Sequence, residues 1–118
     1  MKTLVLGASL NPSRYSNKAV KLLRAHQHEV VAVGRDEGNL DDVKMVHDFS
    51  VADKIDTVTM YLSPAHQQLY YTKIIEAKPR RIIFNPGAEN DELATLAKQN
   101  GIQTEEACTL VLLNTNQY

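Results

Sequence analysis

The chain of 118 residues has one cysteine, no tryptophan and only two phenylalanines. The lone Cys108 excludes an intrachain disulfide and any cysteine-based metal cluster. No apolar run is long enough to span a bilayer. Neither sign of charge is in excess. Thirteen Lys and Arg face fourteen Asp and Glu, for a formal net charge of −1, so no overall basic field points to nucleic acid or to an anionic membrane. The histidines His26, His28, His47 and His66 show no metal-ligand spacing, and no bound metal is expected. Repeats, low-complexity tracts and Gly/Pro-rich linkers are also lacking, which predicts one domain over residues 1–118. Met1-Lys2-Thr3 leads into an apolar run too short for a secretion signal, and a cytoplasmic location is the expectation.

What the chain does have is alternation of short apolar runs with helical spacing. Lys2–Leu6 reads as a buried first strand, ended by Gly7. Asn11-Pro12 marks a turn, with Ser13 or Ser16 placed to cap a helix. Ser16, Ala19, Val20 and Leu23 then form one apolar face, and the helix should end near His26. Glu29–Val33 is a second strand stopped by Gly34. Residues 36–54 are acidic without a helical stripe, and Val43–Val46 suggests a short edge strand.

Asp56–Leu62 reads as the third principal strand. Ser63 as N-cap and Pro64 at the first helical position predict a helix with His66, Leu69, Tyr70, Ile74 and Ala77 on its face, stopped by Pro79. Arg81–Phe84 is the fourth strand, and Lys78, Arg80 and Arg81 before and within it read as a solvated helix end. Asn90 or Asp91 caps a third helix with Leu93, Leu96 and Ala97 inside and Gly101 as its stop. Gln103–Ala107 fits a last strand, and Thr109–Leu113 either a pairing segment or a closing turn of helix. The pattern implies an α/β domain with a five- or six-stranded parallel sheet, principal order 2-1-3-4-5, and the short extra strand outside strand 2. Ligands in such sheets lie beyond the carboxyl ends of the strands where the order reverses, here between strands 1 and 3.

Candidate binding residues gather at that crevice. Gly7-Ala8-Ser9 is a small-residue turn between strand and helix, suited to phosphate through outward amides and the helix N-terminus. Against the dinucleotide fingerprint Gly-x-Gly-x-x-Gly, Ser9 and Pro12 replace the second and third glycines, which disfavours a standard NAD loop. Ser9 and Arg14 still suit a phosphate; the plain alternative is a tight turn with a surface arginine. After strand 2, Arg35 favours an extra phosphate on a ribose while Asp36 keeps NAD in contention; both also read as solvated loop charges. Asn85-Pro86-Gly87 belongs to the same rim, with Glu89 as an unpartnered acid. Cys108 has no activating His or Asp and reads better as a buried structural cysteine than as a nucleophile.

Three motifs carry a family resemblance: GASLNPSRYSNKAV (Gly7 to Val20), FNPGAENDEL (Phe84 to Leu93) and ACTLVLLNTNQY (Ala107 to Tyr118). With HEVVAV (His28 to Val33) they make the chain resemble the small single-domain coenzyme A-binding proteins, whose three-layer Rossmann-like fold also forms the N-terminal domain of the succinyl-CoA synthetase α subunit. The resemblance implies coenzyme A or a short acyl-CoA as ligand. It places pyrophosphate on Gly7, Ala8 and Ser9 with Arg14 and Tyr15 beside them, adenosine near Gly34 and Arg35, a border at Leu62 and Ser63, and pantetheine along Asn85, Pro86 and Gly87. Many relatives have an Asn-Pro-like pair where this chain has Gly34-Arg35. The synthetases act through a phosphohistidine on a second domain that none of the four histidines matches, so the resemblance implies binding without a catalytic residue. Two other readings stand beside it. One is an NAD(P)-dependent enzyme or subunit. The other is a regulatory or interaction module with a vestigial crevice, using Leu110-Val111-Leu112-Leu113 for a homodimer or partner.

Overall fold

Strand alternation divides the apolar residues of β1 (Lys2–Leu6) between two cores, and that division sets the layers of the molecule. In the computed structural model, which describes residues 2–118, β1 is followed by α1 (Tyr15–Ala25), β2 (Glu29–Val33), β3 (Asn39–Leu40) and β4 (Val43–Val46). Then come β5 (Thr57–Met60), α2 (Pro64–Gln67), α3 (Tyr71–Ala77), β6 (Arg81–Phe84), α4 (Asp91–Gln99), β7 (Gln103–Glu106) and α5 (Thr109–Asn114). The sheet has seven strands in the order β3-β4-β2-β1-β5-β6-β7. Six are parallel, and β3 alone pairs antiparallel, with β4. The expected 2-1-3-4-5 order and the strand outside strand 2 are both present. The sheet has seven strands rather than the expected five or six because of β3, which at two residues carries no pattern that a sequence reading can detect.

Leu4 and Leu6 point to the face covered by α3 and α4, where they meet Val58, Met60, Ile82, Phe84, Ile74 and Leu93. Val5 points to the other face and packs with Val20 and Leu23 of α1, Ala32, Met45 and Leu113 of α5. The result is a three-layer Rossmann-like domain. The segment 109–113 is therefore the closing helix. Its Leu113 is buried, while Val111 is exposed. Among the described residues no helix is long and apolar enough to cross a membrane.

Three local expectations are corrected. Neither Ser13 nor Ser16 caps α1. Arg14 holds the N-cap position without a side-chain bond, Ser13 is bonded to the Asn11 side chain instead, and Ser16 is buried on the helix. The helix expected after Pro64 is broken by a 3-10 turn at Gln68–Tyr70, and Leu69 faces solvent at 80% exposure. The cause is Gln67, which takes the inner position although it is polar. It is fully buried, with its amide donating to the Leu62 and Ala88 carbonyls (both 2.8 Å). Tyr70 turns inward to stack on Phe49, and the apolar phase moves off His66 and Leu69.

Arg81 is also not part of a solvated end. It is buried, its Nε donates to Thr57 Oγ1 (3.2 Å), and its guanidinium lies 4.6 Å from the centre of the Tyr118 ring. Arg80 and Lys78 remain exposed, and Arg80 pairs with Asp56.

Burial pushes the Asp56 carboxyl up, but hydrogen bonds from Arg80 and Thr57 and the charges of Arg80 and Arg81 outweigh it and leave the group below its usual range. A carboxyl depressed in the folded state stabilises the fold above its unfolded pKa, and that contribution is lost as pH falls through the folded value. Urea denaturation should find Asp56→Asn less stable than wild type near neutrality, with the gap closing below about pH 4. A gap unchanged with pH would contradict this role for the carboxylate.

Candidate functional site

The strand order reverses at β1, whose neighbours are β2 on one side and β5 on the other. The turn after β1 is bound to the end of β2 by a single acceptor. The Val33 carbonyl takes the amides of both Gly7 and Ala8, at 2.9 Å each. Gly7 has φ +99°, and a Cβ there would lie 3.1 Å from the Leu62 amide nitrogen, so glycine meets both a backbone and a space requirement. Gly34 is tighter still, because a Cβ on it would come within 2.1 Å of the Ala8 carbonyl oxygen.

The rest of the loop is fixed from within. Ser9 Oγ accepts from the Asn11 amide (3.0 Å), Asn17 Nδ2 donates to the Ser9 carbonyl (3.0 Å), and the Leu10 amide donates to Asp36 Oδ2 (2.9 Å). Lys18 N to Arg14 O is the first α-type bond at the start of α1. The amides of Tyr15, Ser16 and Asn17 before it have no acceptor among the described residues, as expected of a helix N-terminus.

Beyond these strand ends lies a cleft of about 230 Å³. Leu6, Gly7, Val33 and Gly34 form its floor, Arg35 and His47 one wall, and Leu62, His66, Leu69 and Tyr70 the other. Among the described residues no carboxylate lines it, while one arginine and two imidazoles do. Both imidazoles are oriented through Nδ1: that of His47 lies 3.0 Å from the Gly34 carbonyl oxygen, and that of His66 lies 2.9 Å from Ser63 Oγ. A larger depression of about 440 Å³, lined by Lys98 and Gly101 to Glu105, lies beside β7, away from the switch point.

Of the residues expected at the site, Gly7, Gly34, Arg35 and Leu62 are walls or floor of the cleft. Ala8 is buried beneath Gly34, and Ser63 borders the cleft through its contact with His66. The Ser9 hydroxyl is engaged inside the loop. Arg14 and Tyr15 sit exposed at the start of α1, outside the cleft walls. Pro86 and Gly87 are exposed on the rim after β6, where the Gly87 amide donates to Glu89 Oε1 (2.8 Å).

Asn85 is buried, and its side chain is used internally. Nδ2 donates to Thr59 Oγ1 (2.7 Å) and to the Met60 carbonyl (2.9 Å), and Oδ1 accepts from the Thr109 amide (2.8 Å). Cys108 is half-buried at the N-cap of α5, less enclosed than the expected structural cysteine. His66, in the first turn of the helix after Pro64, is expected near the rim and does line the cleft, whereas His47, Leu69 and Tyr70 are lining residues that sequence reasoning does not place there. His47 comes from the stretch without periodicity, and Leu69 and Tyr70 from the helix whose phase Gln67 shifts.

A doubly wound parallel sheet with a glycine-bounded turn after β1 and a cleft at its switch point defines a Rossmann-like α/β domain. A family model for the CoA binding domain matches residues 1–114, and the chain belongs to that family. The crystal structure of an uncharacterized protein is similar over 99% of this chain and 97% of the other, with 40% identity and a TM-score of 0.94. The cell-free ID.343 protein of Thermus thermophilus shares the fold at 21% identity and a TM-score of 0.83, over 99% of this chain and 90% of that one. The dinucleotide-forming acetyl-coenzyme A synthetase 1 of Ca. Korarchaeum cryptofilum, solved with phosphate and ADP, shares it at 19% identity and a TM-score of 0.74, over 90% of this chain and 25% of that one. No curated protein matches the chain.

Two substitutions test this framework. Gly34→Ala forces a methyl into the Ala8 carbonyl and should cost at least about 2 kcal/mol in chemical denaturation; unchanged stability would contradict the close approach. Asn85→Ala leaves the buried Thr109 amide without its acceptor and should cost about 2–4 kcal/mol, read as a fall in the thermal midpoint.

Proposed function

We propose that the protein binds coenzyme A or a short acyl-CoA at the carboxyl ends of its parallel strands, and that it does so without catalysing a reaction of its own. Membership of the CoA-binding domain family supports the ligand class. The observation that carries the reading is the cleft at the switch point, floored by Gly7 and Gly34 and flanked by Arg35, with the turn from Gly7 leading to the unpaired amides at the start of α1.

In this reading the pyrophosphate rests on the Gly7-Ala8-Ser9 turn near Arg14 and Tyr15. Backbone amides and the helix N-terminus supply the attraction there, since the Ser9 hydroxyl is already engaged. Adenosine lies over Gly34 beside Arg35, bordered by Leu62 and Ser63. Pantetheine leaves the cleft, which at about 230 Å³ suits only part of so long a ligand, and runs along the rim at Pro86 and Gly87. Asn85 acts beneath that rim as its internal support. The nicotinamide alternative loses ground because Asp36, the acid expected to hold a ribose, has one carboxylate oxygen committed to the Leu10 amide.

Calorimetric titration of the purified protein should give heat with CoA and none with NAD or NADP. No binding of CoA at millimolar concentration would overturn the proposal, and heat with NAD alone would replace it with the nicotinamide reading.

A further inference from the structure

The cleft and the rim after β6 are carried by different loops. One is the turn at Leu62-Ser63 after β5, with Leu62 lining the cleft. The other is the turn Asn85–Ala88, closed by a bond from the Ala88 amide to the Asn85 carbonyl (2.8 Å). The β5–β6 register ends at Met60 and Phe84, so the sheet ladder itself reaches neither turn. The start of the second turn is held by the Asn85 side chain, which reaches Thr59, Met60 and Thr109. Its end is held by Gln67.

Gln67 has no exposed surface. Its Nε2 carries two hydrogens, and each goes to a different turn, one to the Leu62 carbonyl and one to the Ala88 carbonyl, at 2.8 Å each. Carbonyls only accept, so these partners fix which way the amide faces. Oε1 accepts from Asn90 Nδ2 (2.9 Å), and that same nitrogen donates to the Tyr71 hydroxyl (2.8 Å). The Gln67 amide is thereby held from three directions. Among the described residues no other side chain is hydrogen-bonded to both turns.

We propose that Gln67 is a positioning residue for the ligand. It fixes the separation of the Leu62 wall and the Asn85–Ala88 rim, so that a ligand engaging both binds more tightly than its nucleotide half alone. This rests on the reading in which adenosine lies in the cleft and pantetheine runs along the rim. Once the nucleotide is seated, the pantetheine arm meets a rim already at the right distance, and little ordering cost remains. A rim that shifts against the cleft gives up part of that gain, while the cleft still holds the nucleotide.

The experiment is calorimetry of the full chain with CoA and with adenosine 3′,5′-bisphosphate, which carries the nucleotide half and lacks pantetheine. Wild type should bind CoA the more tightly. Gln67→Met keeps the length of the side chain and removes both donors. It should lower the ratio of the two affinities about tenfold, the scale of one hydrogen bond, with bisphosphate affinity unchanged. Asn90→Ser is the milder variant, since it withdraws the donor from Gln67 Oε1 and retains a hydroxyl to cap α4; it should lower the ratio in the same direction. Tyr71→Phe removes a bond from Asn90 without touching Gln67, and should leave the ratio as in wild type. An unchanged ratio in Asn90→Ser, an equal loss of affinity for both ligands in Gln67→Met, or an equal fall of the ratio in Tyr71→Phe overturns the proposal. Wild type binding both ligands equally also overturns it, while leaving the cleft as a nucleotide site. Wild type binding neither ligand overturns the underlying reading instead.

Discussion

The Val33 carbonyl is the point on which the cleft depends. One oxygen receives two consecutive amides, from Gly7 and Ala8, where the chain leaves β1. That bond pattern brings the Ala8 carbonyl against Gly34 so closely that no side chain fits between. Loop and strand end thus move as one piece. The α1 amides hold their direction because the loop leading to them is braced by Asn17 on Ser9 and by Asp36 on Leu10. A phosphate-binding turn gains from this rigidity, because dipoles already aligned need no reorganisation when charge arrives.

The opposite side of the crevice is built on a different principle. There buried amides, rather than glycines, set the backbone. Asn85 joins β5, β6 and the start of α5 through three hydrogen bonds. Gln67 joins the end of β5 to the rim after β6, and Asn90 donates both to Gln67 Oε1 and to the Tyr71 hydroxyl while its own carbonyl oxygen caps α4 at Leu93. Such a network is stabilising only when every member is satisfied, and these side chains are.

This division explains what the sequence made legible. Glycines, prolines and β-branched runs announce themselves locally, so β1, β2, β6 and the order of the sheet follow from pattern, as does Asn90 as a cap. Amides that are buried because a distant carbonyl needs a donor carry no local mark. Gln67 is one such residue, and its inward turn leaves Leu69 at the cleft rather than in the core. Arg81 misled in the same way, since its burial depends on Tyr118, thirty-seven positions away. His47 lay in a stretch where turns and a two-residue strand leave no period to detect, although it faces the same cleft as the most legible motif of the chain.

An open parallel sheet leaves two edges of unpaired backbone, and here each is handled differently. On one side β3 ends the sheet after two residues, too short a template for another strand. On the other, β7 is the sequence Gln-Thr-Glu-Glu, with Glu105 and Glu106 exposed. A second copy docking along β7 would bring carboxylates together on both chains, and their repulsion opposes growth of the sheet into fibrous assemblies. Because the edges are guarded by shortness and charge, the central strands β1, β5 and β6 can be almost wholly buried with little risk of aggregation from the edges.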